Sequence, residues 1–316
     1  MKRWLFLSLL GFMLFPVFGQ ETPIGPRWWP SEWGAEDERG AVNRITPEKV
    51  AQAARLVQSG QVYSLGRVYE SGMPMAGKRH YKLTIPGAPS PGGENQIVGH
   101  DESVSGEIGQ VGTQLDGLGH VGVQLSDDAY FYNGIKLADM ADGYGLKKLG
   151  VQNVGVFFTR GVLIDVASSK GVDRLKVGDK IGVADLEKAL AEQGTQVQLG
   201  DVVLIRTGHG KLWMKDNAEY NRGAPGIDRE SALWLIQKKV ALVGADTWPI
   251  EVAPTEDPER PWEIHQWFLV KNGIYLLENL DLEALAGDKV WEFAFIFSPL
   301  RLQGATGSPG NPIAVR

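Results

Sequence analysis

The chain has 316 residues, no cysteine and a formal net charge of −6 at pH 7. The lack of cysteine excludes disulfides, thiolate metal ligands and cysteine nucleophiles, and the mild negative charge without a basic stripe argues against nucleic acid as a partner. With 40 glycines and 17 prolines, it is expected to be a loop-rich globular protein that is long enough to bury a core.

The first 19 residues are typical of a secretory signal peptide. Lys2 and Arg3 supply a positive start, residues 4–18 supply a short apolar stretch, and Gly19 offers a small residue for cleavage. A membrane anchor that stays attached is the alternative, although the apolar stretch is short for a bilayer. We expect residues 1–19 to be removed, and the mature chain to be periplasmic or secreted with no membrane contact.

Residues 20–45 predict a tryptophan-rich N-terminal arm. This segment is polar and broken by proline, and it contains Trp28, Trp29 and Trp33. Because exposed indoles are costly, the arm is expected to lie on the body of the protein or on a neighbouring subunit. The rest, residues 46–316, has no internal repeat and no long linker, so it is predicted to form one domain.

The remaining elements alternate between strands and helices. Thr46 as a cap and Pro47 at the first helical position predict a helix that ends at Gly60. Runs of β-branched and aromatic residues predict strands at 61–68, 80–85, 155–166, 202–207, 241–244, 274–277 and 290–300. Further helices are predicted at 184–193, 228–239 and 261–271. The pattern favours a single α/β domain in which helices pack on a mixed sheet. The first half of the chain is expected to form a β-rich layer, and the second half to form parallel strands covered by helices.

Two segments carry the residues that suggest chemistry. The stretch GQVGTQLDGLGHVG at 109–122 contains Asp116 and His120 among glycines that could fold both side chains towards one cavity. A carboxylate and a neutral imidazole in one pocket are metal ligands or acid–base partners. His265, on a predicted helix, precedes the strand that delivers Glu278. Judged by residue type alone, the alternative to a functional role is that these side chains are turn residues or hydrogen-bonded groups of the core.

The order of these residues resembles the metal-dependent cyclase family, which includes bacterial kynurenine formamidase and isatin hydrolase. Matching segments are WGAEDERGAVNRITPEKV at 33–50, GVLIDVA at 161–167, GDVVLIRTGHGKLW at 200–213 and GATGSPGNPIAV at 304–315. Asp246-Thr247 and Glu278-Asn279-Leu280 also match. The resemblance covers nearly the whole mature chain and implies a swivelling β/β/α-like fold.

The family motif is His-x-Gly-Thr-His-x-Asp-x-Pro-x-His, and this chain departs from it. Its Gly, Thr, Asp and last His correspond to Gly112, Thr113, Asp116 and His120. The first two histidines, which are metal ligands in the family, are Gln110 and Gln114 here, and the proline is Leu118. A glutamine ligates only through its carbonyl oxygen, which is a weaker donor than imidazole and suits harder cations.

Three outcomes for the metal remain open. The resemblance implies ligands at Asp116, His265 and Glu278, with Gln110 and Gln114 as further candidates. The site would hold one divalent ion on the first three residues, or two ions with manganese or magnesium preferred over zinc. Otherwise the metal is lost and the fold is reused for binding. We expect manganese or zinc, in one or two copies.

The remaining candidate residues are three histidines and a threonine. The resemblance implies that His120 is a general acid or base, and that Thr113 supports the metal shell by hydrogen bonding. His209 and His100 are candidates to replace the missing histidines, although a surface or hydrogen-bonded histidine is the alternative for each.

The resemblance implies hydrolysis of a small amide, either a cyclic amide or an N-formyl aryl amine, as in an arylformamidase. Trp213, Trp248 and Trp262 would line a pocket for a flat substrate or simply pack in the core. The alternatives are a non-catalytic small-molecule binding protein and a lactone hydrolase. A cofactor-dependent oxidoreductase has little support, because GATGSPG opens no βαβ unit. A homo-oligomer, either dimer or tetramer, is expected, with the arm and the tail SPGNPIAVR as candidate contacts.

Overall fold

A mixed nine-stranded sheet organises the computed structural model, which describes residues 21–87 and 92–316. The predicted signal peptide lies outside the described residues. In chain order the strands of this sheet are β1 (Val62–Ser64), β2 (Gln114–Asp116), β3 (Phe157–Asp165), β4 (Val202–Arg206), β5 (Leu242–Ala245), β6 (Tyr275–Glu278), β7 (Glu292–Phe297), β8 (Gly307–Pro309) and β9 (Ile313–Val315). Their spatial order is β8-β2-β6-β5-β4-β3-β7-β9-β1.

The centre of the sheet is parallel and its flanks are antiparallel. Strands β3, β4, β5 and β6 run parallel to one another, as the alternation of strands and helices predicted. On one side β2 pairs antiparallel with β6, and β8 with β2. On the other side β7, β9 and β1 add antiparallel strands in succession. The α/β fold class with helices on a mixed sheet is therefore confirmed.

Helices connect the parallel strands and cover the core. The longer helices are α1 (Pro47–Ala54), α2 (Val183–Gln193), α3 (Arg229–Gln237) and α4, which begins at Glu263–His265 and continues as a π-helix over Gln266–Lys271. Short helical turns lie at Gly40–Arg44, Tyr132–Gly134, Leu137–Met140, Val151–Asn153, Val166–Ser169, His209–Leu212, Asn217–Arg222 and Glu283–Gly287. The main core packs fully buried strand residues such as Leu163 and Val203 with Leu186 and Leu235 from the helices.

The first helix begins as the sequence predicted but ends earlier. The Thr46 hydroxyl accepts a hydrogen bond from the backbone nitrogen of Lys49 and caps the helix. The helix stops at Ala54, six residues before Gly60. Helix α4 starts two residues after the predicted position, because Trp262 adopts a left-handed conformation with φ of 57° and cannot continue a right-handed helix.

The glycine-rich stretch at 109–122 is partly a strand rather than only a loop. Its residues Gln114–Asp116 form β2, which is buried and paired on both sides. The neighbouring strand approaches closely because Gly307 has no side chain, and a Cβ there would lie 2.8 Å from the Leu115 carbonyl oxygen. The short strands β2, β8 and β9 were missed, since glycine and proline interrupt the β-branched runs that indicate strands.

Small two-stranded ribbons surround the main sheet. The predicted strand at 80–85 is one of them, because it pairs with a hairpin partner and not with the sheet. The ribbons are Glu21–Thr22 with Gly25–Pro26, Tyr81–Thr84 with Ser103–Gly106, Val123–Gln124 with Ala129–Tyr130, Ala141–Asp142 with Gly145–Leu146, and Lys180–Ile181 with Gly226–Ile227.

Both termini of the described chain pack against the body. Trp28 is buried with Val123 and Val270, and the Trp29 ring stacks on Tyr130 at a centroid distance of 5.2 Å. The C-terminal tail supplies β8 and β9 of the main sheet. Of the helices in residues 21–87 and 92–316, none is long and apolar enough to cross a membrane.

Candidate metal centre

Three side chains from three elements converge at one edge of the parallel strands. Asp116 ends β2, Glu278 ends β6, and the antiparallel register places Gln114 opposite Glu278. His265 lies in helix α4, which precedes β6. One ligand atom from each of Asp116, His265 and Glu278 lies within 4.8 Å of the other two, and all three residues are buried.

The imidazole of His265 is oriented by a carboxylate that sequence reasoning missed. Its Nδ1 lies 2.5 Å from Glu251 Oε1, and the same oxygen accepts a hydrogen bond from the backbone nitrogen of His265. Its Nε2 lies 3.3 Å from Glu278 Oε1 and 4.0 Å from Asp116 Oδ2. A carboxylate behind the ring is the usual partner of a metal-binding histidine. Glu251 is 14 residues away in sequence, so no local spacing identifies it.

The two glutamines contact the carboxylates through their amide nitrogens. Gln110 Nε2 donates to Asp116 Oδ1 at 2.9 Å, and Gln114 Nε2 donates to Glu278 Oε2 at 2.9 Å. Gln114 Nε2 also lies 3.5 Å from Gln110 Oε1. The carbonyl oxygen Oε1 of Gln114 is buried and has no hydrogen-bond partner among the described residues. A buried carbonyl oxygen without a donor is costly and is free to bind a cation.

The electrostatics of the centre favour an added positive charge. Burial and the neighbouring Asp116 carboxylate raise the pKa of Glu278 to about 8. Burial alone would lower the pKa of His265, but its hydrogen bonds with Glu251 and Glu278 outweigh burial and raise it well above the usual value. Two carboxylates, one imidazole and one unpaired carbonyl oxygen form a donor set that fits a divalent cation.

A cavity of about 680 Å³ opens beside these residues. His120 lines it, with Nε2 4.0 Å from Asp116 Oδ1 and a side chain that is 23% exposed. Trp248 and Trp262 also line it and meet edge to face at 5.6 Å, as expected for an aromatic pocket wall. Trp213 is not part of the lining and packs edge-on against Tyr220.

The comparisons with known proteins give this chain a family. The model of the putative cyclase family matches residues 63–252. The chain belongs to this family. A solved structure described as a novel cyclase shares 35% sequence identity, covers 90% of this chain and 98% of its own, and has a TM-score of 0.80. No curated protein matches the chain.

More distant structures share the fold of this cyclase-family chain. Isatin hydrolase A from Ralstonia solanacearum is 19% identical, covers 85% of this chain and 97% of its own, and has a TM-score of 0.60. A protein from Bacillus stearothermophilus, described as a predicted metal-dependent hydrolase, is 18% identical, covers 81% and 98%, and has a TM-score of 0.50. At these identities the likeness concerns the fold.

Thr113 links the two strands that carry the site carboxylates. Its hydroxyl donates to the carbonyl oxygen of Asn279 at 2.8 Å and accepts from the backbone nitrogen of Arg67 at 2.8 Å. Asn279, which follows Glu278, donates from its side-chain nitrogen to the carbonyl oxygen of Gly112 at 2.7 Å. These bonds join the start of β2 to the end of β6, so they set the spacing between the two carboxylates.

The other candidate histidines do not join the three. His209 is fully buried outside the cavity, where its Nε2 lies 3.2 Å from the Tyr220 carbonyl oxygen and its ring stacks on Tyr220. Burial lowers the pKa of His209. His100 is exposed and is not among the cavity-lining residues. Neither His209 nor His100 replaces the imidazoles absent at 110 and 114.

Asp246 is also outside the group of three and does not line the cavity. Its carboxylate accepts hydrogen bonds from the backbone nitrogens of Thr207 and Gly208.

Proposed function

We propose that this protein is a metal-dependent hydrolase of a small amide, either a cyclic amide or an N-formyl aryl amine. The observation that carries the proposal is the convergence of Asp116, His265 and Glu278 beside a cavity, with the unpaired carbonyl oxygen of Gln114 next to them. Family membership supports it, as do fold neighbours described as an isatin hydrolase and as a predicted metal-dependent hydrolase.

Asp116, His265 and Glu278 would hold the cation, which we propose to be manganese or zinc. When bound, such a cation supplies Lewis acidity that lowers the pKa of water and polarises a carbonyl group. Glu251 keeps the His265 ring turned so that Nε2 faces the two carboxylates. Thr113 holds the two carboxylate-bearing strands at a constant spacing.

His120 is the residue that moves a proton. Breaking an amide C–N bond requires a proton on the leaving nitrogen, and a positioned histidine can provide it. The His120 side chain lines the cavity and is partly open to solvent, so it can exchange that proton with water. Its Nε2 lies close enough to Asp116 Oδ1 to act next to the metal ligands without being one of them.

The cavity suits a small flat substrate. Its volume of about 680 Å³ is within the range of roughly 300–1,000 Å³ that is usual for small-molecule sites. Trp248 and Trp262 provide an aromatic wall on which an aryl ring can stack. These features support an aryl or fused-ring amide over a long flexible one.

The direct test combines metal analysis with a panel of substrates. Freshly purified protein should contain a divalent metal by elemental analysis and should hydrolyse at least one aryl or cyclic amide. His120→Ala should retain the metal and lower kcat by about 10²–10⁴-fold. His100→Ala, an exposed histidine outside the cavity, serves as the matched control and should leave kcat unchanged. Undiminished hydrolysis by His120→Ala would remove the mechanism.

A non-catalytic small-molecule binding protein is the second candidate. It is favoured by one observation, namely that both glutamine amides contact the carboxylates where stronger ligands could stand. It predicts that a small aryl ligand raises the melting temperature without being consumed. Multiple turnover on any amide or lactone would discard it. Preferential turnover of lactones would identify a lactone hydrolase on the same site.

A further inference from the structure

The two oxygens of each site carboxylate have different surroundings. Asp116 Oδ2 and Glu278 Oε1 are the oxygens nearest His265 Nε2, at 4.0 and 3.3 Å. The other oxygen of each carboxylate accepts a hydrogen bond from a glutamine amide, Gln110 on Asp116 Oδ1 and Gln114 on Glu278 Oε2. One set of oxygens therefore faces the imidazole, and the other set is already occupied by N–H donors.

The amides form a continuous link between the carboxylates. Gln114 Nε2 lies 3.5 Å from Gln110 Oε1, so the order along the link is Asp116, Gln110, Gln114 and Glu278. The orientation of each amide follows from charge. When both carboxylates are ionised, as cation binding requires, a flipped amide would place a carbonyl oxygen against a carboxylate oxygen, and that contact is repulsive. In this state both glutamines present N–H groups, which carry partial positive charge, to the carboxylates.

A cation bound at Asp116 Oδ1 or Glu278 Oε2 would compete with an N–H group that already donates to that oxygen. Gln114, Asp116 and Glu278 are almost fully buried, so losing a hydrogen bond between them is costly. Hydrogen bonds to a buried carboxylate are charge-assisted and strong. A second cation bound through Asp116 Oδ1 and Glu278 Oε2 would weaken both of them and would face the partial positive charge of the amide hydrogens.

We propose that the Gln110–Gln114 amide pair takes the place of a second cation and limits the centre to one ion per chain. That ion would be held by Asp116 Oδ2, His265 Nε2 and Glu278 Oε1. The inference rests on the proposed metal dependence but goes beyond it, because it assigns to Gln110 and Gln114 the role of determining how many ions bind.

The test counts ions, so it does not depend on finding the substrate. Protein stripped with EDTA is incubated separately with Mn²⁺ and Zn²⁺, desalted, and measured by elemental analysis and by calorimetric titration. The wild type should bind one ion per chain. Two ions per chain would overturn the inference and leave the proposed function standing. No bound ion would overturn the proposed metal dependence itself.

A paired substitution tests the role of the amides directly. The variant Gln110→His/Gln114→His removes both amide donors and supplies two imidazoles, which are good zinc ligands. It should bind two Zn²⁺ per chain, a doubling of the stoichiometry. Gln124→His, an exposed glutamine outside the cavity, is the control and should bind one. A double variant that melts cooperatively and still binds one ion would overturn the inference. Should that variant not fold, the wild-type count alone decides.

Discussion

Asp201 and the pair of Asp116 and Glu278 are buried carboxylates with opposite electrostatic surroundings. Asp201 is fully buried and contacts two cations of the chain, with Lys49 Nζ at 2.7 Å and Arg160 Nη2 at 2.6 Å. Asp116 and Glu278 are as deeply buried, but their neighbours are two glutamine amides and the imidazoles of two histidines. In the described segments, no lysine or arginine is ion-paired with either of them.

This difference separates a carboxylate that is paired with lysine and arginine from two carboxylates that are not. A buried charge is tolerated when an opposite charge neutralises it. The ion pairs of Asp201 do so from within the chain, and they join α1, which carries Lys49, to β3, which carries Arg160. Asp116 and Glu278 have no lysine or arginine partner, and a divalent cation would supply positive charge in its place. Four measurements test this comparison.

The largest effect is expected at Asp201. Asp201→Ala leaves Lys49 and Arg160 buried without their common partner, so it should lower the free energy of unfolding by about 3–5 kcal/mol. The number of Mn²⁺ ions bound should not change. Urea unfolding in EDTA measures the loss, and Asp139→Ala, at an exposed carboxylate, is the control with about 0.5 kcal/mol or less. A loss that small at Asp201 would contradict its structural role.

Adding or removing the metal should have the next largest effect. Mn²⁺ at 100 times its Kd should raise the free energy of unfolding by about 2.7 kcal/mol, because it binds only the folded state. EDTA should reverse the gain. The Asp116→Asn variant should show no gain in the free energy of unfolding. The His100→Ala variant is the control and should respond to Mn²⁺ like the wild type. Equal melting temperatures with Mn²⁺ and with EDTA would contradict cation binding at this pair.

Neutralising Glu278 should stabilise the metal-free protein. Its pKa is about 8 in the folded state against 4.5 for the ordinary group, so the folded state retains a proton that the unfolded state loses between these values. Stability therefore falls as pH rises through this window. Glu278→Gln removes the penalty and should raise the free energy of unfolding at pH 7 by about 1–3 kcal/mol. At pH 4 the two proteins should be equally stable, and unfolding in EDTA at several pH values checks both expectations.

The smallest effect concerns His209, a buried base without a carboxylate in contact. Burial lowers its pKa below 6.5, so the unfolded state binds a proton that the folded state does not, and stability falls as pH drops below 6.5. One such proton contributes at most about 1.4 kcal/mol per pH unit. His209→Gln should lose this contribution and show a shallower decline in stability at low pH. An unchanged decline would assign it to other groups.

Much of the fold was predictable because the signals are local. The buried runs that became β3 to β7 are rich in β-branched and aromatic residues, and the Thr46-Pro47 cap marks the start of α1. Short strands such as β2 and β8 were not predictable, since glycine and proline obscure the alternation and the pairing partners lie nearly 200 residues apart.

The residues of the candidate site were predictable, but the contacts that orient them were not. Asp116, His265 and Glu278 were singled out by residue type and position, the family resemblance then made them ligand candidates, and the fold brings them together. Glu251 had no local signal, because only the packing of α4 places the His265 ring against it. His209 was selected for its position after a strand, yet its side chain points away from the cavity and into the core.

The absence of cysteine chemistry, the α/β class, and the amides in place of the imidazoles of the family motif all follow from the amino-acid sequence. Those properties depend on residue type and on short-range order. The folded chain is needed to show which oxygen of each carboxylate is capped by an amide, and which buried carboxylates have no lysine or arginine partner. Hydrogen-bond direction and charge balance depend on neighbours from distant segments, so they are defined only once the chain is folded.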